Sequence, residues 1–184
     1  MPTLERVPAL TAPELLAAPV AAALAALPAD VAARIEAAPI DPDLADTAAF
    51  SEAYGFPLDG GANCIVVAGK RGEDVRFAAC VVLAHTRLDV NRVVRKLLDV
   101  RKASFAPMDQ AVELTGMEYG GITPIGLPSA WPVYVDSRVP DAPDAVIGAG
   151  RRGAKVFLPG SVLGALPGVQ VVEGLATEGL ATEG

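Results

Sequence analysis

Histidine, cysteine and aromatic side chains are scarce in this sequence: among 184 residues there are one histidine, two cysteines and 5% aromatics. A serine-hydrolase triad needs a histidine base. The lone His85 follows a strand-like run and no Gly-x-Ser-x-Gly elbow occurs, so His85 is interpreted as a surface or capping residue. Because carboxylates do not cluster either, no metal site is expected. These absences disfavour chemistry based on the usual nucleophiles or on metals.

Long hydrophobic runs and a secretory signal are also missing. Residues 15–27 are apolar, but they are too few to span a bilayer and include Pro19. The first six residues show no basic patch leading into an apolar run. Cys64 and Cys80 each lie in an apolar strand-like run, which favours buried thiols in a reducing compartment over a disulfide or a reactive thiol. We therefore expect a cytoplasmic protein without a membrane partner.

Positive charge is in deficit overall, with one local exception. The net charge of −7 argues against a protein that wraps nucleic acid, and DNA is not an expected partner. Residues 87–102 are different, because their cations outnumber their two aspartates: Arg87, Arg92, Arg95, Lys96, Arg101 and Lys102. The apolar residues between 90 and 98 recur at helical spacing, which puts the cations outside a predicted helix. They form either a solvated helix face or a surface that grips one end of an RNA.

The length and the order of predicted elements indicate a single α+β domain. Residues 1–57 read as a helical N-terminal part and residues 58–174 as a sheet-rich part. Residues 175–184 repeat Leu-Ala-Thr-Glu-Gly and are expected to form a mobile tail. The predicted sheet is mixed and mostly antiparallel, with helices around it.

Periodicity and capping residues locate the individual elements. Helices are predicted over residues 11–27 with a kink at Pro19, over 30–38, from 43 or 46 to 54, over 90–98 after an Asp89 cap, over 107–115, and briefly after Ser161. Strands are predicted over residues 63–68, 75–84, 103–106, 132–136, 145–147, 154–158 and 169–172. The strand at 75–84 is apolar on both faces and is therefore expected to be central.

Four glycines and two prolines interrupt these patterns between Gly116 and Pro128. Glycine reaches backbone angles that are closed to other residues, and proline fixes its own φ. Such a cluster is either a shaped surface turn or a loop that lets a ligand approach main-chain N–H groups. Glu118 is the best-placed carboxylate for acid/base work here, although a solvent-facing position is the simpler interpretation.

A second glycine motif, residues 148–153, has the Gly-x-Gly-x-x-Gly spacing of a dinucleotide site. That site requires a helix to begin at the glycines. A strand-like run, Ala154 to Leu158, follows instead, so no nucleotide cofactor is expected. The motif is either a hairpin turn or a turn whose main-chain N–H groups hold a carbonyl oxygen.

An ordered set of motifs resembles a known family. The set comprises Leu114-Thr115-Gly116, then Gly121-Ile122-Thr123-Pro124-Ile125-Gly126, then Val133-Tyr134-Val135-Asp136 and finally Gly148-Ala149-Gly150. Over roughly residues 60 to 173 the sequence is similar to the YbaK-like (YbaK/EbsC) domains, free-standing relatives of the editing domain of bacterial prolyl-tRNA synthetases. The resemblance implies an α+β fold with a curled central sheet and hydrolysis of mischarged aminoacyl-tRNA in trans, without a cofactor.

The resemblance also implies a site, with the acceptor end of an aminoacyl-tRNA as the partner. The residues expected to act in catalysis are Asn63, Gly148, Ala149 and Gly150. Those expected to contact the substrate are Gly121, Ile122, Thr123, Pro124, Gly126 and Asp136. Those expected to bind tRNA are Arg92, Arg95, Lys96 and Lys102. In this family the adenosine 2′-hydroxyl is thought to help position the attacking water, so little protein base is needed.

One departure leaves two further hypotheses open. Active family members carry a lysine where this chain has Asn63, and a neutral donor in place of a charged one forfeits roughly 1 to 2 kcal/mol, about tenfold in rate or affinity. Lys70 and Lys102 are alternative sources of the charge. If neither compensates, the protein is a non-catalytic module that binds the aminoacylated 3′ end. A different small-molecule hydrolase or binder on the same scaffold is the third hypothesis.

Overall fold

Short helices and strands intermingle throughout residues 2–179, the part of the chain that the computed structural model describes. The strands are β1 (Val7–Pro8), β2 (Glu36–Pro39), β3 (Ala62–Arg71), β4 (Asp74–Leu83), β5 (Thr86–Leu88), β6 (Lys102–Phe105), β7 (Val133–Asp136), β8 (Ala145–Gly148), β9 (Ala154–Leu158), β10 (Val169–Val172) and β11 (Ala176–Glu178). The helices are α1 (Ala18–Ala25), α2 (Ala29–Ala32), α3 (Thr47–Tyr54), α4 (Arg95–Leu97), α5 (Met108–Thr115) and α6 (Gly160–Gly164). A π-helical turn, Val90–Val94, leads directly into α4. This mixture confirms the predicted α+β class.

A long hairpin forms the centre of the fold. Its strands, β3 and β4, pair antiparallel from Ala62 opposite Leu83 to Arg71 opposite Asp74. Gly72 makes the connecting turn at a φ of +62°, a conformation that glycine adopts without strain. The prediction that β4 is central is confirmed, since it lies in the middle of a five-stranded sheet of order β10-β7-β4-β3-β6. In that sheet β6 runs antiparallel to β3, whereas β7 and β10 extend it in parallel.

A second sheet, of order β1-β2-β9-β8, is antiparallel throughout. One parallel bridge, between Gly61 and Val146, joins its β8 edge to the beginning of β3. The two sheets therefore meet at the ends of the strands that carry Asn63 and Gly148. Both of the glycine-rich motifs of the sequence lie at or near this junction.

The inner faces of the two sheets share one hydrophobic core with α1. Among its fully buried members are Val20, Leu24, Val81, Val135, Ile147 and Val156. The turn Val90–Val94 and α4 cover the outer face of the five-stranded sheet through Val94 and Leu98. Helix α3 covers the outer face of the other sheet, where Phe50 lies 6.3 Å from Phe157 between ring centroids. In residues 2–179 no helix is long and apolar enough to cross a membrane.

The N-terminal segment is less helical than its alanine content predicts. The helix expected over residues 11–27 is two short 3-10 turns followed by α1, and Pro19 lies in the first turn of α1 instead of kinking it. The helix expected over 30–38 is wrong beyond α2, because Glu36–Pro39 form β2 between β1 and β9. Ala37 and Ala38 are both fully buried. Pairing and burial on both faces override the helix propensity of alanine here.

The beginning of the expected mobile tail is also corrected. Leu175 is fully buried, and Ala176–Glu178 pair as β11 with β5. The Ala176 N–H donates to Asp136 at 2.9 Å, and Glu178 accepts from Arg138 at 3.0 Å. These contacts fix the first part of the repeat, which its composition did not indicate. Residues 180–184 of the expected tail lie outside the described residues.

Candidate functional site

Asn63 is held by a side-chain hydrogen bond at the start of β3. Its Oδ1 accepts from the Thr47 hydroxyl at 2.6 Å. Thr47 is the first residue of α3, and Asp46 caps that helix by accepting from the N–H groups of Ala48 and Ala49. The helix start therefore orients the Asn63 amide, and with Oδ1 accepting, its NH₂ group is the donating side.

Gly148 and Asn63 both lie near the bridge that joins the two sheets. The parallel bridge joins Gly61 to Val146, and two residues further along each strand are Asn63 and Gly148. Lys155 of β9 is opposite Gly148 in the antiparallel ladder. Because paired residues present their side chains on the same face of a sheet, Lys155 shares the face of Gly148 that α3 covers.

The backbone of the Gly121–Gly126 loop packs against the Gly148–Gly150 turn. A Cβ built on Gly148 would lie 2.3 Å from the Gly121 carbonyl oxygen and 2.9 Å from that of Ile122. The Gly150 N–H donates to the Gly121 carbonyl at 2.7 Å. Contacts this close leave no room for a side chain at Gly148. The loop and the turn are therefore in direct contact, and Asn63 lies near this junction at the start of β3.

Some main-chain groups of the Gly148–Gly150 turn already form hydrogen bonds within the protein. Besides the Gly150 N–H, the Ala149 carbonyl is used, because it accepts from the Ala17 N–H at 3.0 Å. Gly150 adopts a φ of +77°, and a Cβ there would lie 2.5 Å from the Cβ of Ala17. Strand β9 follows the turn, so there is no helix N-terminus for a pyrophosphate. Gly150 therefore shapes the turn, and the strand predicted to follow it is confirmed as β9.

Thr123, in the middle of the loop, carries an unpaired hydroxyl. The residue is fully buried, and its Oγ1 has no hydrogen-bond partner among residues 2–179. Pro124 and Ile125 are buried beside it, and Gly126 turns at a φ of +82° against the backbone of Pro19. A buried polar atom without a partner is uncommon and needs an explanation.

Glu118 fastens the turn to the segment that precedes the loop. Its carboxylate accepts from the Arg152 N–H at 2.8 Å, and its own N–H donates to the Gly150 carbonyl at 2.9 Å. Arg152 in turn donates to the carbonyl of Pro42 at 3.1 Å. These bonds give Glu118 a structural role at the rim of the site.

The structure does not bring Asp136 to this place as a ligand-facing group. Its side chain is 1% exposed and accepts from Arg138 Nε at 2.8 Å and from the Ala176 N–H at 2.9 Å. Burial alone would raise the pKa of Asp136, but the hydrogen bonds from Arg138 and Ala176 outweigh burial and lower it. The carboxylate consequently stays charged and ties β7 to β11.

The predicted tRNA-binding cations divide into two groups. The first group is exposed on the outer side of the helical segment, residues 90–97, as predicted, and comprises Arg92, Arg95 and Lys96. Arg92 forms a salt bridge with Asp89 at 2.9 Å. Lys102 is opposite Lys70, seven residues along β3 from Asn63. At ~3.3 Å per residue that is roughly 23 Å. Neither Lys70 nor Lys102 therefore supplies a charge at Asn63.

Lys155 is the lysine nearest to the junction, and it is not among the site residues predicted from the sequence. It is 7% exposed, its Nζ donates to the Ala45 carbonyl at 2.7 Å and lies 5.6 Å from the Phe50 ring centroid. Burial lowers the pKa of Lys155 to about 8, with nearby Asp46 opposing the shift and Arg152 adding to it. A lysine inside the apolar run of β9 is the one sequence signal that could have drawn notice, since lysine is seldom buried without a partner.

Cysteine and metal chemistry find no support in the described structure. Burial raises the pKa of Cys64 to about 12 and that of Cys80 further, so both remain protonated thiols. Both are free, as the sequence predicted. In residues 2–179 no group of three His, Cys, Asp or Glu side chains gathers in a way that could hold a metal ion.

The fold is an α+β domain, and its candidate site at the glycine-lined junction is built mainly from backbone. The family model described as the aminoacyl-tRNA editing domain matches residues 41–165, a span that contains Asn63, the loop and the turn. The chain belongs to this aminoacyl-tRNA editing domain family. The resemblance to YbaK-like domains is thereby confirmed. No curated protein matches the chain in sequence.

Solved structures show the same fold. A proposed trans-editing enzyme for prolyl tRNA synthetase superimposes with a TM-score of 0.72 at 22% identity, covering 89% of this chain and 97% of that one. The hypothetical protein APE2540 gives 0.70 at 20% identity, covering 80% and 95%. A proposed signal transduction protein from Marinobacter aquaeolei VT8 gives 0.55 at 16% identity, covering 87% of this chain and 30% of that one.

Proposed function

We propose that this protein is a trans-acting deacylase that hydrolyses the ester of a mischarged tRNA. The observation that carries the proposal is the backbone contact between the Gly121 loop and the Gly148 turn, at the junction of the two sheets where the strand of Asn63 begins. Main-chain N–H groups and a fixed amide at such a junction can hold an ester carbonyl. Family membership supports an aminoacyl-tRNA as the source of that ester.

Catalysis would rest on donors aimed at the oxygen where negative charge develops. The Asn63 amide and the main chain at Gly148 and Ala149 are assigned this role, each donor contributing on the order of 3 to 4 kcal/mol in well-studied cases. Gly150 shapes the turn, since its N–H is held by Gly121. The substrate 2′-hydroxyl would help position the attacking water, as the resemblance implies.

The loop would contact the aminoacyl group. Gly121, Ile122, Pro124 and Gly126 are assigned to shape the pocket through backbone and apolar surface. Thr123 has the one polar side chain among these loop residues, and its hydroxyl is unpaired among residues 2–179. A substrate polar group bonded there would relieve a cost of about 1 to 3 kcal/mol.

The helical segment of residues 90–97 would meet the acceptor stem. It follows β5, and the chain after it reaches the end of β3 that is opposite Asn63, where the Arg101 N–H donates to the Lys70 carbonyl at 3.2 Å. Its exposed cations are assigned to phosphates of the RNA that extends beyond the site.

Deacylation of a panel of mischarged tRNAs tests the function. We expect the wild type to hydrolyse at least one ester, and Asn63→Ala to slow that reaction about 100- to 1,000-fold, because a donor to the developing oxyanion is lost. Radiolabelled amino acid released in a time course is the measurement.

The same panel separates the two hypotheses that the sequence left open. If the wild type binds a non-hydrolysable aminoacyl-adenosine but only Asn63→Lys cleaves an ester, the protein is a binding module. If neither protein cleaves any ester, the deacylase proposal is wrong.

The tRNA contact is tested by removing charge from the helical segment. We expect Arg92→Gln with Arg95→Gln and Lys96→Gln to weaken tRNA binding and to lower the slope of log K against log salt by about 2, because each lost phosphate contact removes roughly 0.7 to 0.9. Cleavage of an aminoacyl-adenosine, which lacks the stem, should be unchanged. An unaltered salt slope would place the RNA elsewhere.

A further inference from the structure

Lys155 is buried at the junction without a carboxylate bound to its ammonium. Its hydrogen bond goes to the neutral carbonyl of Ala45, and in residues 2–179 no salt bridge includes it. The nearby Asp46 carboxylate attracts the ammonium, but it is exposed and caps α3. Buried charges are ordinarily paired, because removing them from water is costly.

A purely structural side chain would be expected to be apolar at this position. Lys155 lies among the aromatic side chains that α3 packs onto the sheet, with Phe50 as its ring neighbour. Well-packed apolar replacements of buried charged groups are often neutral or stabilising. The presence of a lysine at this position therefore points to a use for its charge.

The position of the ammonium relates it to both halves of the site. Lys155 pairs with Gly148 across the β8–β9 ladder, on the face where the Gly121 and Ile122 carbonyls cover Gly148. Its acceptor, Ala45, is two residues before Thr47, whose hydroxyl binds Asn63. The charge thus lies between the helix start that orients Asn63 and the turn that contacts the loop.

We propose that Lys155 is the catalytic cation of this site and donates a charged hydrogen bond to the carbonyl oxygen of the scissile ester. The inference rests on the proposed deacylase function. One N–H of the ammonium is used by Ala45, which leaves two for a ligand. A charged donor forms a stronger hydrogen bond than a neutral one.

The reaction balances without a proton from Lys155. Water adds to the carbonyl carbon and loses a proton to solvent, while negative charge collects on the carbonyl oxygen beside the ammonium. The bond to the ribose oxygen then breaks, and that oxygen takes a proton from solvent. Lys155 keeps its three protons throughout, so the protonated form is the active one.

The test compares Lys155→Met and Lys155→Arg with the wild type, using Lys70→Met as the control lysine on β3. We expect Lys155→Met to lower kcat at least 30-fold with KM within threefold and with a Tm equal to or above that of the wild type. Lys155→Arg should recover part of kcat, and Lys70→Met should match the wild type on an aminoacyl-adenosine substrate.

A pH profile distinguishes an electrostatic role from a structural one. With a pKa of about 8 for Lys155, wild-type kcat/KM, corrected for spontaneous hydrolysis, should fall as pH rises through that value. Lys155→Arg should not show this fall, since arginine stays protonated. The other charged groups facing Lys155 are Asp46 and Arg152.

The outcomes separate the inference from the function on which it rests. Absence of turnover by the wild type overturns both. Turnover by the wild type that Lys155→Met retains within threefold overturns only the inference. If Lys155→Met does not fold, the pH profile of wild-type kcat/KM tests the inference instead. A kcat/KM that does not fall between pH 7 and 9 contradicts a catalytic ammonium.

Discussion

Gly148→Ala should lower deacylation at least about 100-fold, which is the loss that a misplacement of about 1 Å produces at a catalytic site. The added Cβ would lie 2.3 Å from the Gly121 carbonyl oxygen. Because the obstacle is backbone, the loop itself must move away from the turn. We expect kcat to fall and the free energy of unfolding to drop by about 1 to 3 kcal/mol, as for other overpacked sites.

Gly153→Ala is the matched control, five residues further along the same motif. A Cβ there would meet only Pro42 at 3.7 Å and the Ile40 carbonyl at 4.0 Å, which are ordinary contacts. Its activity should equal that of the wild type. Single-turnover rates and urea denaturation on both variants measure the two effects. Full activity in Gly148→Ala would show that the loop and the turn do not form the site.

The glycine motifs could be predicted because their sequence reflects backbone geometry directly. Gly116 follows α5 in the left-handed conformation, Gly126 turns at +82° and Gly150 at +77°. Each angle is one that only glycine adopts readily. The helix cap at Asp89 could also be predicted, and its side chain accepts a hydrogen bond from the Arg92 N–H. A backbone angle or a helix cap depends on a few neighbouring residues, so the residue types at those positions indicate it.

Contacts between distant segments left no such signal. The Lys155 ammonium binds a carbonyl 110 residues away in the chain, and Asp136 binds the N–H of Ala176, 40 residues on. Strand β2 reads as helix because alanine favours helices, and it becomes a strand only because β1 and β9 flank it. What the sequence could not show is which of its polar groups the folded chain would bury.

Asp136→Ala should lower the free energy of unfolding by about 3 to 5 kcal/mol, the usual cost of removing one partner of a buried pair. The carboxylate is 1% exposed and its partner Arg138 is 34% exposed, so the lower end of that range is expected. The variant also leaves the Ala176 N–H without its acceptor and frees β11 from β7. Urea denaturation at pH 7 measures the loss, and Asp59→Ala, at an exposed position, should stay within about 0.5 kcal/mol of the wild type.

Acid should remove the same stabilisation, because the folded pKa of Asp136 is lowered. The unfolded state then binds more protons at low pH, so the contribution is complete above the unfolded pKa, about 3.9, and is lost as pH falls through the folded value. Asp136→Asn should therefore lose less stability than the wild type below about pH 4. The same variant shows whether Asp136 is a structural anchor or contacts the substrate. If it is an anchor, the KM of Asp136→Asn for an aminoacyl-adenosine should equal that of the wild type at pH 7. A raised KM with unchanged stability would mean that Asp136 contacts the substrate, as the resemblance implied.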